Sequence, residues 1–249
     1  MSARSAAVHL AWRRGDDPER LHGREWLVTN GLGGYASGSV LGIPTRRYHG
    51  LFVPNLAQPK GRHVLISHLD EEVVVGGHAA RLGGAEFANG GLECEAHRYL
   101  VDFRVDRLMP TWRFAVDGCA VEKTVVMLHN QNTVCVQYGL VEGERVRLHV
   151  RLHAAFRRID APLVDAPRPF ELAIARGRHE LRVADSPLVL RFALRPGGVF
   201  VAHERDSPDV LYRVERERGY VPCVEDLYSP GYFAVDLERP RDVAEVRTT

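Results

Sequence analysis

Hydrophobic and polar positions in this chain repeat mostly with a period of two. From Met109 to Val116 and from Cys119 to Met127 the residues alternate or run apolar, and Asp117-Gly118 between them is a two-residue type I′ hairpin signal. Asn130-Gln131-Asn132 then turns the chain into an apolar run over 133–140, and Glu142-Gly143 turns it into 145–153. In that last segment Val146, Leu148, Val150 and Leu152 alternate strictly with Arg147, His149, Arg151 and His153, which predicts a strand with a buried apolar face and a basic outer one. The same period disposes of a zinc pair at His149 and His153, because four residues of strand separate them by about 13 Å. No metal site is expected.

Further strands are predicted over 171–175 and 180–184 across an Arg-Gly turn, and over 188–194, 199–203 and 210–216. One short helix is predicted near the start, with Asp17 as N-cap, Pro18 at the first helical position and Gly23 as its stop. Turn signals recur through the rest, and no three-turn amphipathic pattern interrupts them. The expected fold is all-β: a large antiparallel two-sheet β-sandwich formed by residues 1–249 as one domain, with a short N-terminal helix.

Composition narrows the function classes. Lysine plus arginine number 33 against 32 acidic residues, a net charge of +1, so no global field favours nucleic acid or an anionic membrane. There is no apolar stretch of membrane-spanning length and no leader pattern, which sets the expectation of a cytoplasmic protein. Cys94, Cys119, Cys135 and Cys223 form no C-x-x-C pair and are expected to remain reduced.

The segment over 29–50 departs from the strand pattern by placing six glycines around a polar cluster, Thr45-Arg46-Arg47-Tyr48-His49. Ordering so many glycines is entropically costly, and the backbone they permit suits either a tight turn or a polar binding surface. Gly31-Leu32-Gly33-Gly34-Tyr35-Ala36 spells a dinucleotide fingerprint, but Gly38, Gly42 and Pro44 leave no helix after it and no acid follows until Asp70. No Gly-Lys-Ser/Thr ending makes it a P-loop. No nucleotide or other cofactor is expected. A second polar, aromatic segment over 218–233 reads as a loop suited to stacking and hydrogen bonding.

Two blocks carry a family resemblance. Residues 24–37, Arg-Glu-Trp-Leu-Val-Thr-Asn-Gly-Leu-Gly-Gly-Tyr-Ala-Ser, and 45–51, Thr-Arg-Arg-Tyr-His-Gly-Leu, resemble the opening signature of the N-terminal domain of bacterial and archaeal glycogen debranching enzymes, the amylo-α-1,6-glucosidase type. The segments 65–72, 112–124, 131–134 and 225–231 are similar to successive blocks of that family. The resemblance implies a galactose-mutarotase-like super-sandwich joined, in the family, to a C-terminal (α/α)6 toroid that holds the catalytic carboxylates. The sequence to Thr249 has no helical segment corresponding to that toroid. One departure concerns an aromatic-Arg-Asp-aromatic-His run, where this chain has Phe156-Arg157-Arg158-Ile159-Asp160.

Hydrolysis of a glucosidic bond needs two carboxyl groups about 5 to 9.5 Å apart, one of them protonated. Asp70, Glu71, Glu225 and Asp226 fall in expected loops and read better as solvated or arginine-paired groups, so no catalytic residue is assigned and the isolated chain is expected to be inactive. The resemblance implies instead a noncatalytic domain that borders an α-glucan such as glycogen or a maltooligosaccharide, with the toroid as partner in cis or trans. The residues expected at the sugar or at that partner are Asn30, Gly31, Gly33, Gly34, Tyr35, Thr45, Arg46, Tyr48 and His49, with Glu225, Asp226 and Tyr228. The alternatives are a purely structural domain for the toroid and a sugar-active enzyme on the sandwich alone.

Overall fold

A computed structural model describes residues 8–161, 163, 169–184 and 186–249. Strand β1 (Val8–Ala11) and helix α1 (Glu19–His22) precede β2 (Glu25–Thr29), β3 (Tyr35–Ser39), β4 (Gly50–Val53), β5 (Asn55–Leu56), the long β6 (Gly61–Val75) and β7 (His78–Arg81). After α2 (Ala96–Tyr99) come β8 (Leu100–Asp106), β9 (Met109–Val116), β10 (Cys119–Met127), β11 (Val134–Glu142) and the long β12 (Val146–Arg158). The chain continues through β13 (Phe170–Ala175), β14 (Arg178–Val183), β15 (Val189–Arg195), β16 (Val199–Leu211), α3 (Arg213–Glu217), β17 (Val224–Leu237) and β18 (Val243–Thr248).

These strands form a large antiparallel two-sheet β-sandwich. The first sheet runs β1-β8-β9-β10-β11-β18-β15-β14-β13, and the second β16-β17-β12-β6-β4-β3-β2, with β5 and β7 added against β6. The β9–β10 hairpin lies where alternation puts it, with Asp117 and Gly118 both at positive φ as a type I′ turn requires. Leu148, Val150 and Leu152 are buried as their period predicts, in one core cluster with Val121, Val125, Val136 and Leu140 of the facing sheet. Trp112 is fully buried, donates its indole N–H to the Val40 carbonyl at 2.8 Å, and meets Trp26 edge-on with centroids 5.4 Å apart. All four cysteines are free. Among the described residues no helix is long and apolar enough to cross a membrane.

Several expectations are corrected. The segments 199–203 and 210–216 are not two strands: β16 runs unbroken to Leu211, and residues 213–217 are helical. Pro208, which has no N–H to give a ladder, sits where the pairing with β17 shifts between Ser207 and Val210, so the turn-like Ser-Pro-Asp is absorbed as a bulge. The segment 218–233 is a loop only to residue 223. Glu225, Asp226 and Tyr228 lie on β17, and Ser229-Pro230-Gly231 marks a second shift of register on β16. Asp70 and Glu71 also lie on a strand, β6. Helix α1 starts one residue later than predicted, with Pro18 as N-cap and Asp17 Oδ1 accepting the Glu19 N–H at 3.0 Å.

One polar group is set inside the sandwich. Glu71 of β6 is buried and accepts the Tyr138 hydroxyl at 2.7 Å and an ion pair from Lys123, so a second-sheet carboxylate is held by two side chains of the first sheet. Lys123 Nζ also lies 5.1 Å from the centre of the Trp112 ring, and burial, then Glu71, pushes the Tyr138 phenol well above its ordinary range. Removing one partner strands the other charge away from water. Lys123→Ala is therefore expected to lower unfolding stability by about 3–5 kcal/mol, whereas Val243→Thr at an exposed position shifts it by about 0.5 kcal/mol or less, both read by urea denaturation.

Candidate functional site

The glycine-rich block is ordered by side-chain amides. Loop 30–34 joins β2 to β3 and is wound around Asn30, which is fully buried: its Oδ1 accepts the N–H groups of Leu32 and Gly34 at 2.9 and 3.0 Å. Its Nδ2 donates to the Gln131 carbonyl and to Asn132 Oδ1, both at 2.9 Å, tying the loop to the turn between β10 and β11. Asn55 Nδ2 donates to the Leu32 carbonyl at 2.8 Å, and Arg62 Nε to that of Gly33 at 2.6 Å. Gly33 has φ +85°, and a Cβ on Gly34 would meet Asn30 Nδ2 at 2.8 Å and the Val53 carbonyl at 3.1 Å, so these two positions require glycine. Gly31 and Leu32 remain exposed at the tip.

Residues 45–49 form the adjoining turn. Thr45 and His49 are buried, and the Thr45 N–H donates to His49 Nδ1 at 3.1 Å, which leaves the ring proton on Nε2, 3.5 Å from Glu25 Oε1. Arg46 Nε bonds the same carboxylate oxygen. The His49 hydrogen bond outweighs burial and, with Arg46, holds the Glu25 carboxyl down at about 2. The Tyr35 hydroxyl donates to the Tyr48 carbonyl at 2.6 Å, and burial pushes its own pKa up to about 12. The Tyr48 ring stands 49% exposed with the Arg47 guanidinium 5.4 Å from its centre.

Arg157 links this turn to the end of the chain. Register shifts in β12 between Ala154 and Arg157, with Phe156 at φ +53°, aim the buried Arg157 inward. Its Nε donates to Glu225 Oε1 at 2.6 Å and its Nη2 to the Arg47 carbonyl at 2.5 Å, while Tyr212 donates its hydroxyl to Glu225 Oε2. Burial alone would lower the Arg157 pKa, but Tyr212 and Glu225 raise it overall. The structure thus brings Glu225 to residues 45–49 through an arginine absent from the predicted set. It does not bring Asp226, which accepts the Asp209 N–H at 2.8 Å, or Tyr228, which is buried and stacks on Phe170 with centroids 4.2 Å apart.

A second concavity went unpredicted. The outer face of β6, β12 and β17 holds a cleft of about 320 Å³ lined by Asp70, Glu72, Arg81, Arg151, Arg205 and Tyr232 among others. The β6–β12 register sets His149 opposite Glu72, Arg151 opposite Asp70 and His153 opposite His68. His149 Nδ1 lies 3.0 Å from Glu72 Oε1, and His153 Nε2 lies 2.9 Å from Asp70 Oδ2. Burial, reinforced by His153, pushes His68 down to about 4; burial would raise the Asp70 carboxyl, yet the two imidazoles lower it overall. Such a surface offers donors, acceptors and one aromatic side to a polar, uncharged ligand. Alternation marked one wall of it, but period alone does not tell which strand lies opposite.

A family model described as glycogen debranching enzyme N terminal matches residues 24–244. No curated protein matches the chain. Among solved structures, the GalM/aldose epimerase homologue from C. elegans is 10% identical over 90% of this chain and 98% of that one, with a TM-score of 0.41. A bacterial glucoamylase complexed with acarbose is 6% identical over 100% of this chain and 34% of that one, with a TM-score of 0.42.

Arg157→Ala is expected to cost about 3–5 kcal/mol by stranding the buried Glu225, and Arg157→Lys to restore only part of this because an ammonium cannot serve Glu225 and the Arg47 carbonyl as a fork. Glu25 gives a pH test. Its carboxyl lies at about 2 in the fold against 4.5 ordinarily, so its contribution is whole above pH 4.5 and is lost as pH falls from there through 2. Thermal melts of Glu25→Gln should show lower stability at neutral pH and a shallower decline across that acid window.

Proposed function

The chain belongs to the family of glycogen debranching enzyme N-terminal domains, and on that footing we propose that it is a noncatalytic domain that contacts α-glucan beside a catalytic toroid. The observation that carries this reading is the presentation of Tyr48. Its ring is half exposed, its carbonyl is held by Tyr35, and its neighbour Arg47 is held through the main chain by Arg157 and by Glu215 Oε1, which accepts the Arg47 N–H at 3.2 Å. An exposed aromatic ring on a pre-ordered backbone stacks on a pyranose with little further loss of freedom. The partly exposed Arg46 adjoins it in the chain, while the buried Thr45 and His49 order the same turn and Glu225 supports it through Arg157.

The noncatalytic part of the reading rests on the carboxylates. Glu71 is held by Lys123 and Tyr138, Glu225 by Arg157 and Tyr212, and Asp70 and Glu72 each by an imidazole. None of them stands as an unpaired acid ready to protonate a leaving group. A docking role towards the toroid is favoured by a different observation, the exposure of Leu27 on β2 and of Leu32 in the loop that follows it.

Isothermal titration of the 249-residue chain with maltotetraose and with an α-1,6-branched oligosaccharide tests the proposal. Saturable binding is expected, weakened about three- to tenfold by Tyr48→Ala, with no reducing sugar released. Absence of heat would leave docking as the role of this surface, and product release would overturn the noncatalytic reading.

A further inference from the structure

Three side chains on the β6–β12 ladder converge in an arrangement that hydrogen bonding does not complete. His68 and Asp70 lie on β6, and His153 lies opposite His68 on β12. The two imidazoles stack with centroids 4.5 Å apart and planes 3° from parallel, and both residues are more than nine-tenths buried. Each turns Nε2 towards the one carboxylate. His153 Nε2 is 2.9 Å from Asp70 Oδ2, whereas His68 Nε2 is 3.4 Å from Oδ1 and has no hydrogen-bond partner. The Nδ1 atoms are held from behind, His68 by Ser67 Oγ and His153 by Ser207 Oγ, both at 3.3 Å.

We propose that His68, Asp70 and His153 form a binding site for one divalent transition-metal ion of the zinc class, with both Nε2 atoms and a carboxylate oxygen as ligands and the remaining position open to the cleft.

When the Ser67 hydroxyl accepts the Nδ1 proton of His68, its Nε2 lone pair is free for a cation, the tautomer that metal ligation requires. A cation placed among the three atoms exchanges the single His153–Asp70 hydrogen bond and the looser His68–Asp70 contact for three coordination bonds. The ligand atoms already lie within 4.8 Å of one another. Around zinc they would sit about 3.4 Å apart, so binding draws them inward and tilts each ring out of the stack. Two imidazoles and one carboxylate select zinc, cobalt or nickel over calcium or magnesium, which take oxygen ligands. The two serines occupy the outer positions that fix the orientation of metal-bound histidines. Lys123 and Arg151 are the nearby cations, the first neutralised by Glu71 and the second bonded to His203 and Ser229. Asp70 itself lines the cleft and so marks an entry path.

The test is titration of the chelator-stripped 249-residue protein with Co²⁺, followed by Zn²⁺, read by visible absorption and calorimetry. One equivalent of Co²⁺ should give ligand-field bands that Zn²⁺ abolishes. His68→Gln and Asp70→Asn should each weaken binding about tenfold or more, while His78→Gln, outside the cluster, leaves it unchanged. Should both cluster variants fail to fold, X-ray absorption of the wild-type protein with one equivalent of Zn²⁺ decides: two imidazoles with an oxygen ligand support the site, and any other histidine count overturns it. Failure to retain metal at one equivalent, or equal binding by wild type and folded cluster variants, also overturns the proposal.

Discussion

The register of β6 against β12 is the constraint on which the rest depends. Side chains on a strand alternate faces, so a slip of one residue would bring Leu148, Val150 and Leu152 out of the core and bury Arg147, His149 and Arg151. Burial of that apolar row fixes the pairing, and the pairing in turn sets every polar contact on the outer face. His149 meets Glu72, Arg151 meets Asp70 and His153 meets His68 because the leucines and valines between them are committed inward. Beyond His153 the ladder is interrupted at Ala154 and again before Arg157. Those irregularities let the same strand send Arg157 inward to the glycine-rich block instead of outward into solvent.

Two buried ionic clusters then join parts that apolar packing does not position by itself. Glu71, Lys123 and Tyr138 connect the two sheets, and Arg157, Glu225 and Tyr212 connect the second sheet to residues 45–49. Burying charges is costly, and such clusters contribute less to net stability than to the choice of one arrangement, since any other would leave a charge unpaired. The same reasoning explains how so glycine-rich a segment stays ordered. Few of the residues in loop 30–34 carry apolar bulk, so order comes from Asn30, Asn55 and Arg62 capturing its main-chain groups, with Asn132 bonding the Asn30 side chain and the Asn55 carbonyl behind them.

Much of the architecture was legible because it depends on local alternation. The β9–β10 hairpin, the alternating row of β12 and the pair β13–β14 across Arg176-Gly177 could be read from period and turn chemistry. What failed was local signal overridden by tertiary pairing: Ser207-Pro208-Asp209 and Ser229-Pro230-Gly231 look like turns but are accommodated as bulges in long strands that pair with each other. Helix α3 was hidden for a related reason. Its short Val-Glu-Arg-Glu sequence fits either state, and it is held by the Val214 N–H on the Thr45 carbonyl and by Glu215 on the Arg47 N–H. Of the cleft only the alternating wall of β12 could be read, because its other wall lies on β6, with 83 positions between Asp70 and His153.

The place where the chain departs from its family's usual aromatic-Arg-Asp-aromatic-His run shows how sequence and structure divide the work. In Phe156-Arg157-Arg158-Ile159-Asp160 the first two residues keep the pattern, and they are the two that face inward: Phe156 packs edge-on against Phe170 with centroids 5.8 Å apart, and Arg157 holds Glu225 and the Arg47 carbonyl. The departures are Arg158, Ile159 and Asp160: Arg158 and Asp160 are an exposed pair that satisfy each other through two bonds at 3.0 and 2.9 Å, and Ile159, in place of an aromatic, is partly buried against Val53, Val64 and their neighbours. The contacts of Arg157 with Glu225 and the Arg47 carbonyl are made without these three side chains. The hydrogen bonds that hold the backbone at Arg47 and Tyr48 come from Tyr35, Arg157 and Glu215, not from residues 158–160.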